Sequence, residues 1–263
     1  MVSAIPLAQA TEKFARDGYV VLRGALPAKL CRDYGEAVIG EYQRLSDSGW
    51  RFTASGWLAG HLRVTLGPGG HDLLGALETA GVPQLVGALC AEPMALAEAS
   101  GNLNLPGSVH QDFHIDGRFA ERLMIANVCL IATDDRNGAT EIVPASHLTD
   151  LSYWRFRADH WPRRALRPVL EPGDVLLRPT TLWHRGTPNR SAVPRPMAAF
   201  VWGAQARVDP READRHLAEP LTISGNKFYG PWRRAKEFAA VRLPWIDEAL
   251  RLGRSWLAER AGR

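Results

Sequence analysis

Several things are scarce in this sequence. It has only three cysteines, Cys31, Cys90 and Cys129, an odd number with no CxxC pair, so neither a disulfide framework nor a cysteine metal site is expected. Free thiols fit a reducing compartment, and the expected location is the cytoplasm. No stretch of about 18 uninterrupted apolar residues occurs, and no basic start leads into an apolar run, so neither membrane spanning nor secretion is expected. A basic block is also lacking: 32 Lys and Arg against 28 Asp and Glu give +4, spread along the chain, which argues against nucleic-acid binding. No G-x-S-x-G elbow, H-E-x-x-H helix or glycine-rich phosphate loop is present, which leaves nucleophilic hydrolysis without support.

What is there reads as one globular, loop-rich domain of 263 residues, with 24 glycines, 18 prolines and 46% hydrophobic residues. Helical patterning occupies the front, with a Thr11 N-cap candidate, a β-branched run at Tyr19 to Leu22, a helix from about Pro27 to Leu45 and another over Asp72 to Leu89. From about Ala95 the texture becomes short strands separated by turns, such as "EPGD" at Glu171 to Asp174 and Asn137-Gly138 in "DRNGAT". Repeated short strands of this kind indicate an antiparallel barrel or sandwich. The tail, with Ile246, Leu250 and Trp256, returns to helical periodicity. The expected division is a helical part over about 1–94, a β-core over about 95–208 and a helical segment over about 209–263.

The chemistry-bearing pieces lie in the β-core. "VHQDFHIDG", Val109 to Gly117, holds two overlapping His-x-Asp triplets, His110/Asp112 and His114/Asp116. A His and an Asp two residues apart on a strand point to one side, and with a distant second His they form a facial site that leaves metal positions open. All four residues share one face of an ideal strand, so local geometry does not separate the triplets. Downstream, "GDVLLRPTTLWHRGTPNRSAVPRPM" supplies His184 and, 11 residues later, Arg195, whose guanidinium is suited to a bidentate pair with a carboxylate. Ser191 could add a hydroxyl contact.

Taken together, "FARDGYVVLRGAL", "HQD", "NGATEIVPASH" and "HRGTPNRSAVPRP" resemble the phytanoyl-CoA dioxygenase family of iron(II)- and 2-oxoglutarate-dependent oxygenases, over nearly the whole chain. The resemblance implies a mainly β fold with flanking α-helices, a double-stranded β-helix (jelly roll, cupin-like), with Fe(II), 2-oxoglutarate and O2 as cofactor and cosubstrates. The family spacing to Gly138 is closer to the 28 residues from His110 than to the 24 from His114, which favours His110, Asp112 and His184 as metal ligands and places His114 and Asp116 in the substrate cavity. The other triplet stays open. Arg195 would anchor the distal carboxylate of 2-oxoglutarate, with Ser191 and Asn127 near it, and Arg63 is a further candidate for a substrate carboxylate.

The implied reaction is hydroxylation of an unactivated C–H of a small polar metabolite or natural-product intermediate, with release of succinate and CO2. An acidic ligand argues against halogenation, since related halogenases have Gly or Ala there. Two other readings remain: a jelly-roll protein that binds a small molecule or sugar with a degenerate metal site, and a zinc hydrolase. His114, Asp116, Arg63 and the segment "NKFYGPWRR" suggest a polar, anionic substrate. His147 is expected to be structural, His61, His71, His160 and His216 to be ordinary, and Trp183 and Trp202 to pack the barrel.

Overall fold

The computed structural model describes residues 7–50, 52, 59–223 and 231–261. The order is α1 (Leu7–Asp17), β1 (Val20–Leu22), α2 (Ala28–Asp47), β2 (His61–Thr65), α3 (Gly69–Thr79), α4 (Val82–Cys90), β3 (Met94–Asn104), β4 (Met124–Cys129), β5 (Glu141–Ile142), α5 (Tyr153–Ala158), β6 (Val175–Pro179), β7 (His184–Arg185), β8 (Arg195–Ala204), α6 (Pro210–Ala218), β9 (Thr222–Ile223), α7 (Pro231–Arg242) and α8 (Pro244–Arg260). Helix α2 buries Cys31, Tyr34, Val38 and Leu45, the three- and four-residue spacing of one helical stripe. The single helix expected over 72–89 is two, because Gly81 adopts φ 74° and breaks it.

Seven strands form an antiparallel sheet in the order β1-β6-β4-β8-β3-β2-β9, and β5 pairs with β7 in a second, two-stranded sheet. Alternation along each strand gives the large sheet two different faces. One face carries Leu103, Ala126, Val128, Leu177, Ala198 and Phe200 into the main core, against residues of α2, α3 and α4. Fully burying a side chain such as Phe200 contributes roughly 1.5–3 kcal/mol. The opposite face presents Asn102, Asn127, Arg178, Arg195 and Met197 to a cavity of about 220 Å³, closed from the other side by β7 and the segment around His114. Core packing on one face and a lined cavity on the other is the architecture anticipated for the β-core.

Turn chemistry holds the layers in register. Gly173 has φ 94° in the 171–174 turn, where Asp174 N donates to Glu171 O at 2.9 Å. The Asp174 carboxylate then accepts from Gly24 N at 2.7 Å and Arg23 at 2.6 Å, which ties the start of β6 to the front end. At the other end α8 lies on α5: Trp154 N donates to Ser255 Oγ at 2.9 Å, Ser152 Oγ donates to Glu259 at 2.8 Å, and Arg157 pairs with Glu248. Among the described residues no single helix is long and apolar enough to cross a membrane.

Candidate metal centre

His184 opens β7, and its partner is the extended segment before β4. His114 N donates to His184 O and His184 N donates to His114 O, both at 3.0 Å, the reciprocal exchange of an antiparallel hydrogen-bonded pair. The two imidazoles therefore stand side by side, with centroids 4.4 Å apart. Phe113 and Ile115 turn to the opposite side and join Phe156 and Trp183 in a small core, so His114 and Asp116 face the cavity together. One ligand atom each from His114, Asp116 and His184 lie within 4.8 Å of one another. Asp116 Oδ1 is 3.5 Å from His114 Nε2, and its Oδ2 is 3.2 Å from His184 Nε2.

The tautomers suit a metal. His114 Nδ1 lies 2.8 Å from the Asp112 carbonyl and His184 Nδ1 lies 2.9 Å from that of Leu182. A carbonyl only accepts, so each Nδ1 carries the proton and each Nε2 keeps a lone pair directed at the cluster. Burial lowers His184 to about 4, so its ring is neutral at ordinary pH. Burial alone would raise the Asp116 carboxyl, but the adjacent Arg178 guanidinium outweighs it and holds the group ionised, well below the usual carboxylate range. Two neutral imidazoles and one carboxylate on one side are the donor set of a facial site with open positions.

The structure brings the second triplet, not the first, beside His184. His110 and Asp112 do not approach His184. Both are exposed, and the Asp112 carboxylate pairs with Arg251 of α8, itself stacked over Tyr153 at 4.5 Å. His110 lies instead among the charges of Arg185 and Glu141. Strict alternation fails here: Gln111 faces the cavity, accepting at Oε1 from Gly186 N at 2.9 Å, and an extra residue is spent before His114. His114 and Asp116, expected as substrate contacts, are the pair beside His184.

Arg195 starts β8, is 2% exposed, and lines the same cavity. Its Nη2 donates to Gly138 O at 2.8 Å, while Nε and Nη1 have no partner. No acidic residue among those described pairs with it, and burial pushes it down to about 10. A buried cation with unused donors is costly unless an anion completes it. Only glycine suits position 138, where the accepting carbonyl sits: φ is 84° and a Cβ would stand 2.2 Å from Asn104 Nδ2.

Other expected residues divide. Asn127 lines the cavity, its Oδ1 accepting from Arg178 Nε at 3.2 Å. Ser191 does not reach it: its hydroxyl donates to Asn189 Oδ1 at 2.7 Å within a turn. Arg63 pairs with Glu98 at 2.6 Å and is also outside the lining. Of "NKFYGPWRR", residues 226–230 lie outside the described residues. Sequence reasoning missed Arg178 and read His61 as ordinary. A signal for Arg178 did exist, since an arginine inside the apolar run "VLLRP" needs a partner as much as the mid-strand Asn127 does. His61 is 4% exposed, bonded through Nε2 to Val109 O at 2.8 Å, and packs closely under Gly186. His147 packs against Phe14, a structural position as expected.

The fit of iron to this cluster rests on the unprotonated Nε2 atoms and the ionised carboxylate, and that of a dicarboxylate cosubstrate on the unpaired Arg195 nitrogens. Comparisons with known proteins point the same way. The phytanoyl-CoA dioxygenase (PhyH) family profile matches residues 75–197. The dioxygenase cdmA of Talaromyces verruculosus is 31% identical over 116 residues, covering 42% of this chain and 38% of that protein; the matched part is thus well under half of that relative's length. Among solved structures, AviO1 from Streptomyces viridochromogenes aligns at TM-score 0.62 and 21% identity over 79% of this chain and 99% of that one. EctD from S. alaskensis with bound Fe aligns at 0.60 and 17% over 84% and 87%. The epimerase SnoN in complex with Fe3+, alpha ketoglutarate and nogalamycin RO aligns at 0.55 and 20% over 75% and 83%. These likenesses establish the double-stranded β-helix.

Proposed function

We propose that this chain, whose residues 75–197 match the phytanoyl-CoA dioxygenase (PhyH) family profile, is an Fe(II)- and 2-oxoglutarate-dependent oxygenase acting on a small polar metabolite, with His114, Asp116 and His184 as the iron ligands. The observation that carries this reading is the buried Arg195, whose Nε and Nη1 lack acceptors in the cavity that also holds the triad. A metal site alone would leave that charge unexplained. A metal chelated by a diacid whose far carboxylate reaches the guanidinium accounts for both.

Bound iron with its cosubstrate supplies the activation of O2 and the oxidative decarboxylation that yields succinate and CO2. The chain's own part is positioning. The carbonyls of Asp112 and Leu182 hold the two imidazoles in the ligating tautomer. Arg178 Nη2 donates to Asp116 Oδ2 at 2.8 Å, keeping that carboxylate charged and oriented. Gly186, where a Cβ would meet His61 and Gln111 at 2.6 and 2.8 Å, keeps the backbone beside His184 close against its neighbours. The favoured outcome is hydroxylation of an unactivated C–H in the substrate.

The deciding measurement is succinate formation from 2-oxoglutarate with iron and air, in wild type, Asp116→Ala and Asp112→Ala. Loss of iron and of succinate in Asp116→Ala, with both kept in Asp112→Ala, supports the assignment. The reverse pattern moves the ligand role to His110 and Asp112. A wild type that binds neither iron nor 2-oxoglutarate leaves a small-molecule-binding jelly roll.

A further inference from the structure

Arg178 is the second buried guanidinium of the cavity, 3% exposed in the middle of β6. Its Nε donates to Asn127 Oδ1 at 3.2 Å and its Nη2 to Asp116 Oδ2 at 2.8 Å, with His184 Nε2 at 3.2 Å. Its Nη1 has no partner and is buried. As a counter-ion for Asp116 alone, a point charge such as lysine would serve, and nothing would require a fork with one unused donor. A buried N–H without an acceptor costs free energy that a ligand oxygen would recover.

Register separates this arginine from Arg195. Arg178 lies opposite Ile125 of β4, whereas Met197 lies opposite Cys129, so Arg195 is two residues further along β8. The offset is six residues along the strand direction, roughly 20 Å between backbone positions at about 3.3 Å per residue. The two side chains thus enter the cavity from opposite ends, one beside the triad and one remote from it. A diacid held between the metal and Arg195 leaves the Arg178 donor to a second molecule. Asn102 and Gln111 add polar lining without a competing negative charge, and the carboxylate at this end, Asp116, is already engaged by Nη2.

We propose that Arg178 forms a second carboxylate-binding position, beside the triad, which recognises an acidic substrate by its carboxylate. The inference rests on the oxygenase reading for the place of the cosubstrate. It narrows the substrate class from polar metabolites to small carboxylic acids.

The experiment uses protein loaded with Zn(II) and 2-oxoglutarate, which does not turn over. Small acids and their primary amides, hexanoate with hexanamide and phenylacetate with phenylacetamide, are compared by ligand-observed NMR in wild type, R178K and R178Q. Wild type is expected to prefer acid over amide by about tenfold or more, the usual order for a charge-assisted hydrogen bond. R178Q is expected to abolish that preference, with 2-oxoglutarate affinity compared at equal Zn(II) occupancy because Arg178 also orients Asp116. R178K, which keeps a cation beside Asp116 and so guards against misfolding, is expected to weaken the preference severalfold. The proposal is overturned if wild type shows no acid preference or if the preference survives in both variants. It is equally overturned if R178Q weakens 2-oxoglutarate as much as the acids, which assigns the donor to the cosubstrate. If wild type binds no 2-oxoglutarate, the oxygenase reading fails by itself, and the acid and amide pairs, run without it, still decide the role of Arg178.

Discussion

Replacing Arg195 by methionine should move stability and ligand binding in opposite directions. Burial takes the guanidinium from 12.5 to about 10, and at about 1.4 kcal/mol per pKa unit that corresponds to about 3 kcal/mol of penalty on the charged form. The side chain is wholly enclosed, so solvent screening offers little relief. Methionine fills much of the same volume without the charge, but it loses the hydrogen bond to Gly138 O, a cost of about 1–1.5 kcal/mol. The net expectation is a gain of about 1–2 kcal/mol without ligand, or about 2–6 °C in Tm for a domain of this size. With 2-oxoglutarate and a divalent metal at about 100-fold over Kd, wild type should gain about 2.7 kcal/mol, and Arg195→Met should gain nothing from the 2-oxoglutarate. Differential scanning fluorimetry with and without each ligand measures both. A variant less stable than wild type in the absence of ligand, or one still stabilised by 2-oxoglutarate, would refute the view that this charge awaits an anion.

Gly138→Ala forces a side chain into positive φ and against Asn104; it should cost at least about 2 kcal/mol and weaken 2-oxoglutarate binding through the displaced carbonyl, both readable from urea melts and calorimetry. Burial lowers His61 to about 4, so the folded ring stays neutral while the unfolded one takes up a proton below about pH 6.5. Its stabilising effect is therefore complete above pH 6.5 and declines as pH falls toward 4, by up to about 3 kcal/mol; urea midpoints from pH 7.5 to 4.5 should show a shallower slope in His61→Gln, and an unchanged slope would contradict the assignment. Arg251→Ala breaks a partly exposed pair with Asp112, so the stability loss should not exceed about 1 kcal/mol, yet amide exchange at residues 111–114 should quicken, because α8 no longer braces that segment.

The β-core was legible because short strands recur between Gly- and Pro-bearing turns, and the approach of His184 and Arg195 to one cavity because a strand, a turn and the next strand fix their separation. The choice between the two His-x-Asp pairs was not. Period two puts residues 110 to 116 on one face only if the segment is regular, and the irregularity between Gln111 and Phe113 is set by tertiary contacts: Gln111 with Gly186, Asp112 with Arg251. Family spacing favoured the first pair, but a connection can absorb four residues at little cost in closure entropy, so spacing does not discriminate. A local clue was available. Phe113 and Ile115 alternate with His114 and Asp116 and bury opposite them, whereas no comparable apolar pair brackets His110 and Asp112. The break at Gly81 was written in the sequence too, in a glycine followed by Val-Pro, the usual start of a new helix.

Both imidazoles of the cluster take their orientation from the main chain two residues earlier, at Asp112 and Leu182. Main-chain oxygens are common to every amino acid, so substitution at either anchor point leaves the acceptor in place. The affinity of the pair for a cation is thereby insulated from changes in the surrounding walls, and the pocket can be reshaped around other molecules without retuning the ring basicity on which the centre depends.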